Sequence, residues 1–182
     1  LGVGLISLLF LLDKQLQENR EKNLVGIDLV VGAKGSPLQL ILSSMYHIDA
    51  PTGNVSLKEI RPFLNPTHPL IQKVVPLSMG DTHKGYRIVG TDTAMVSLYD
   101  AKIATGKIWE KHFEATIGAD VARELGLKIG DEFQSSHGLV NDDDLIHTDA
   151  HAFRVVGIFE PSGTVVDQLI LTTTQSFWLV HE

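Results

Sequence analysis

Residues 27–42 read IDLVVGAKGSPLQLIL. A β-branched run, a Gly-bearing turn and an apolar segment follow one another. The run predicts a strand over residues 24–31. Ser36 fits a helix N-cap and Pro37 the first helical position, so a helix begins there. A strand, turn and helix in this order can hold a phosphate on backbone N–H groups. Both patterns that would require it fail. A Walker loop needs Gly-x-x-x-x-Gly-Lys before Ser or Thr, yet Lys34 precedes Gly35 and Ser36. The dinucleotide fingerprint needs three glycines, and only Gly32 and Gly35 follow the strand. The stretch therefore reads as a tight strand-to-helix turn with Gly supplying positive φ.

Upstream, residues 1–12 (LGVGLISLLFLL) carry no charge and residues 13–23 (DKQLQENREKN) are polar, free of Gly and Pro and rich in helix formers. The chain opens on Leu1 without a basic segment of the signal-peptide kind. Residues 1–12 are read as the outer part of a truncated transmembrane helix, because a span needs about 20 residues. Residues 13–23 continue it as a helical stalk. A buried N-terminal strand or core helix is the alternative for so short an apolar run.

Downstream, Ser56 and Glu59 have capping-box spacing, and Pro62 predicts the end of that helix. Residues 74–92 read as two strands joined by a turn in MGDTHKG, with a return strand near Val74 and Val75 completing a βαβ unit. Residues 95–109 suggest a short helix and a loop. Residues 114–136 read as strand, helix, Gly turn and strand, with Gly126 closing the helix. Residues 152–173 suggest a strand pair around EPSG.

The net charge is −7, against the basic balance of a nucleic-acid-binding domain. No cysteine is present, which excludes disulfides and thiolate metal sites. Residues 137–151, HGLVNDDDLIHTDAH, gather imidazoles and carboxylates, ligand types suited to zinc and other divalent ions. His137, His147 and His151 are the candidate metal ligands, weighed against a solvated acidic loop. The spacing does not fit a calcium loop. There is no Gly-x-Ser-x-Gly elbow. Ser78, Asp81 and His83 sit together in what reads as a hairpin tip. No catalytic residue and no cofactor is assigned, apart from that divalent metal.

The order of an apolar helix, a polar stalk and GIDLVVGAKGSPLQLILSSMYHIDAPTGNVS resembles the start of the extracytoplasmic domain of MacB-like (FtsX-superfamily) ABC transporter permeases. IGADVARELGLKIGDEF and HAFRVVGIFEPSGTVVDQLIL extend the resemblance. It implies an α/β (α+β), two-lobed periplasmic core domain. A βαβ-containing lobe next to the membrane (24–98) would stand beside a smaller β-rich lobe (99–182). It further implies a non-enzymatic permease subunit of the inner membrane, with this domain in the periplasm. Its partners would be a cytoplasmic ABC ATPase, fused or separate, a second permease copy, and a periplasmic adaptor or lipophilic cargo to export or extract. Two other classes stand beside it. One is a membrane-anchored hydrolase using His83, His137 or His147, and the other a metal-binding module using His137, His147 and His151.

Overall fold

The computed structural model describes residues 2–24, 26–65, 67–137 and 152–180. Among them are helices and a mixed eight-stranded sheet, so the chain is of the α/β (α+β) class. Helix α1 (Gly2–Leu24) runs unbroken from the apolar segment into the polar one. No helix among the described residues is long and apolar enough to cross a membrane.

Helix α2 (Pro37–Ser44) begins where Ser36 caps it, the Ser36 hydroxyl accepting from Gln39 N–H. Helix α3 (Leu57–Ile60) carries the full capping box of Ser56 and Glu59 and stops before Pro62. The predicted strand at 24–31 does not form, because the segment has no ladder partner among the described residues. Residues 74–77 are likewise outside the sheet, so the parallel pairing expected there is found elsewhere. Neither Gly32 nor Gly35 has positive φ. A Cβ at Gly35 would strike the Thr52 side chain, whose hydroxyl donates to Ala33 C=O at 2.8 Å. Close approach, and not a left-handed turn, is what requires glycine there.

The sheet starts with a hairpin, β1 (Ser78–His83) and β2 (Tyr86–Thr91). Most of MGDTHKG is strand, and only Lys84 (φ 47°) and Gly85 (φ 86°) make the turn. Two residues of positive φ form the tight connection whose twist matches antiparallel strands. Helix α4 (Thr93–Leu98) follows, capped by Asp92, and then β3 (Ile103–Gly106) and β4 (Glu114–Ile117). Helix α5 (Ala119–Leu125) ends at Gly126 in the left-handed region, φ 68°. Strands β5 (Glu132–Phe133), β6 (Ser136–His137), β7 (Phe153–Phe159) and β8 (Leu169–Thr173) complete the sheet, and helix α6 (Thr174–Val180) closes the described chain.

The strand order is β3-β7-β4-β8-β2-β1-β6, with β5 also on β7. Strands from residues 24–98 and from residues 99–182 share this one sheet. The pairs β2/β8 and β4/β7 are parallel and the others antiparallel. The strands around EPSG, β7 and β8, do not pair as the sequence suggested, because β4 lies between them.

Both faces of the central strands are buried. Val89, Leu169 and Leu171 pack on one side with Met95, Tyr99, Trp109 and Phe159. Their neighbours Ile88 and Ile170 pack on the other with Val121, Phe133, Phe153 and Val155. This is why RIVG and LILT lack the polar alternation of a half-exposed strand. Between β7 and β8, residues 165–168 form a 3₁₀ turn seated on the start of α5. A Cβ at Gly118 would overlap the carbonyl oxygens of Val166 and Asp167, so only glycine permits that seat. Gly118→Ala should therefore lower the unfolding free energy by about 2 kcal/mol or more. Ile170→Ala, which empties a fully buried site, should cost about 3 kcal/mol. Urea unfolding followed by far-UV circular dichroism checks both.

Candidate functional site

The 162–168 loop, which leads into β8, accounts for almost every backbone donor it contains. The Asp167 carboxylate, 7% exposed, accepts from Ser162 N–H at 2.9 Å, Gly163 N–H at 2.7 Å and the Ser162 hydroxyl at 2.8 Å. Thr164 N–H donates to Ser162 Oγ, Val166 N–H to Thr164 Oγ1 and Asp167 N–H to Thr164 C=O. Val165 N–H is the exception. It donates at 2.8 Å to Asn23 Oδ1, in the last turn of α1 and 142 residues away in sequence. Lys22 Nζ lies beside Gly163. The turn that leaves α1 abuts α4, with the Gly26 backbone against Leu98. Helix α1 thus meets the head at the base of its central strand.

A second attachment ties the 26–52 segment to the sheet. His47, with φ 55°, is 6% exposed. Its carbonyl accepts from Arg87 Nε at 2.8 Å, and its ring Nδ1 lies 3.3 Å from Met79 Sδ. Burial, with the Arg87 guanidinium beside it, pushes the imidazole down to about 4. The ring is therefore neutral at pH 7. Between residues 27–30 and α2 lies an open apolar groove of about 330 Å3, lined by Ile27, Leu29, Val30, Leu40, Ile41 and Met45.

The sequence candidates are scattered by comparison. His137 lies on β6, where its backbone pairs with Asp81 of β1, and its side chain lies outside what is described. His147 and His151 lie outside the described residues. No group of three or more His, Asp or Glu able to hold a metal occurs among the described residues. His83 has a structural setting. Its ring packs on Phe133 at 4.8 Å and its Nδ1 meets Gln134 C=O at 2.8 Å. Burial holds that imidazole below its ordinary value. Ser78 and Asp81 are on β1, not at a hairpin tip. Tyr99 and Trp109 are core residues, while Trp178 is 44% exposed.

Sequence reasoning missed both attachments. Ser162, Thr164 and Asp167 carried a readable turn signal. Nothing local pointed from Asn23 to Val165, or from His47 to Arg87.

The family model for the MacB-like periplasmic core domain matches residues 1–181 of the chain. That family is a transporter permease domain. No individual curated protein matches the chain.

The His47 environment makes stability depend on pH. The unfolded chain protonates this ring near 6.5, whereas the folded one does so only near 4. The unfolded state therefore binds more protons between those values, and stability falls as pH drops through that window. The loss attributable to His47 should be about 3 kcal/mol by pH 4. His47→Asn, which keeps a residue tolerant of positive φ, should remove most of that slope. His83, shifted in the same direction, leaves a smaller one. Unfolding midpoints measured from pH 7 to pH 4 check this.

Proposed function

The chain belongs to the family of MacB-like periplasmic core domains, which makes it an extracytoplasmic domain of an ABC-transporter-type permease, and from that premise we propose that it turns ATP hydrolysis in the cytoplasm into changes of shape outside the membrane. Export or extraction of a lipophilic cargo is the work such a change would do. The ATPase is then a separate subunit or domain, and the permease works as a homodimer with this domain in the periplasm.

The observation that carries this reading is helix α1. Its first turns are apolar on every side, and Val3, Leu5, Ile6, Leu8, Leu9 and Phe10 are 53–80% exposed. A helix apolar all round is stable only inside a protein core or in lipid. Among the described residues nothing covers these side chains. The eleven helical residues from Gly2 to Leu12 span about 16 Å, over half of a hydrocarbon core of about 30 Å. The same helix continues through polar residues 13–23 and ends on the head. One rigid rod thus joins the apolar end to the sheet. A mechanical role needs such a rod and needs no catalytic constellation.

The test uses the absence of native cysteine in the chain. Lys128→Cys, at an exposed position beyond α5, is placed in the full-length protein with any other cysteine removed. Intact and lysed cells are treated with a membrane-impermeant thiol reagent. Labelling of intact cells equal to that of lysed cells is expected. Labelling only after lysis would place the domain in the cytoplasm and overturn the reading.

A further inference from the structure

We propose that the Asn23 side chain is the clasp through which α1 moves the sheet, so that displacement of the helix enters the head at the base of β8. This rests on the mechanical reading above and assigns it to one hydrogen bond.

Ser162, Gly163, Thr164, Val166 and Asp167 satisfy their backbone N–H groups inside their own loop. The loop is therefore closed on itself and stiff. Val165 N–H alone among them is given away, and it goes to α1. A first-turn N–H of a helix has no partner within that helix. The Asn23 carbonyl thus completes the 3₁₀ turn from outside as a cap would.

What the clasp holds is fixed to the sheet on every side. Val166 and Leu169 are 0% and 2% exposed in the core. Gly118 N–H donates to Leu169 C=O at 2.9 Å, which locks the turn to the start of α5. The turn runs without a break into β8, which pairs with β2 on one side and β4 on the other. A pull at Val165 therefore reaches three strands at once. Just beyond α1, the Gly26 backbone lies beside the Leu98 side chain of α4, a second bearing point near the first. With two bearing points a tilt of the helix becomes a torque on the head, and loss of the clasp leaves a loose pivot. Asn23 is a positioning residue in this account.

Three variants separate the clasp from ordinary stability. Asn23→Ala removes the acceptor. Val165→Pro removes the donor from the other side, at a first helical position where proline is tolerated. Asn23→Asp keeps an acceptor oxygen and serves as the conservative rescue. Nitroxide labels on Gln17→Cys and Glu132→Cys, both exposed, report the distance from α1 to the sheet by pulsed electron–electron resonance in detergent micelles. The expected result is a narrow distance distribution in the parent and in Asn23→Asp. It should be about twofold broader in Asn23→Ala and in Val165→Pro, and no broader in the double variant. The far-UV spectrum and the unfolding midpoint of Asn23→Ala should stay close to the parent's. An unchanged width in Asn23→Ala overturns the clasp. So does broadening in Asn23→Asp equal to that in Asn23→Ala, or broadening that appears only with lost secondary structure. The measurement is independent of membrane placement. A broadened variant in a domain that faces the cytoplasm would keep the clasp and sink the functional reading. An unchanged variant in a correctly placed domain would do the reverse.

Discussion

The parallel pairing of β2 with β8 is the constraint on which the rest of the structure depends. Residues 87–91 lie beside residues 169–173, with Ile88 opposite Ile170 and Val89 opposite Leu171. Parallel neighbours cannot be joined by a tight turn, so the intervening chain must cross over and return. That chain supplies β3, β4, α5 and β7, which extend the sheet on the far side of β8. It also delivers the 162–168 loop to the point where β8 begins. A one-residue slip of either strand would send its side chains to the opposite face and break the packing of both clusters. Apolar burial on both sides fixes the pair, and the pair fixes where α1 can attach.

What the sequence made legible was local. Ser36 and Pro37 at the start of α2, Ser56 and Glu59 around α3, and Gly126 after α5 each act within one turn of chain, and each is found where its chemistry predicts. The order strand, helix, Gly turn and strand in residues 114–136 followed from the same signals. Apart from the length of the MGDTHKG turn, the misreadings concern partners distant in sequence. Residues 24–31 have strand composition, but a strand exists only with a ladder beside it, and composition does not reveal one. The strands flanking EPSG looked like neighbours because they are consecutive, whereas β4 is inserted between them. The glycines of the 32–35 turn were ascribed to backbone conformation, and the Thr52 side chain gives the reason for Gly35.

The candidate site was legible only in part. The apolar and polar halves of α1 were read from composition, and the helix does run unbroken across their boundary. The attachments were not legible, because Asn23 and His47 are ordinary residues in their own neighbourhoods. Asn23 matters for the N–H it meets at Val165, and His47 for the Arg87 and Met79 it packs against. The imidazole and carboxylate run of residues 137–151 drew attention by residue type, yet His147 and His151 lie outside the described residues.

Taken together, these features describe a rod, a clasp and a plate. The rod is α1, apolar at one end and polar at the other. The plate is a sheet whose central strands are held from both faces. The clasp is the hydrogen bond from Val165 N–H to the Asn23 side chain, which joins the loop to the rod. The central claim, that ATP-driven movement of α1 passes into β8 at this point, is tested most directly by amide hydrogen exchange in the full-length permease assembled with its ATPase. Exchange at residues 162–168 is compared between the nucleotide-free and the ATP-trapped states. The account predicts that protection of the Val165 amide changes between the two states while the amides of β2 and β8 stay protected in both. Identical exchange at Val165 in both states, in an assembly that hydrolyses ATP, would contradict it.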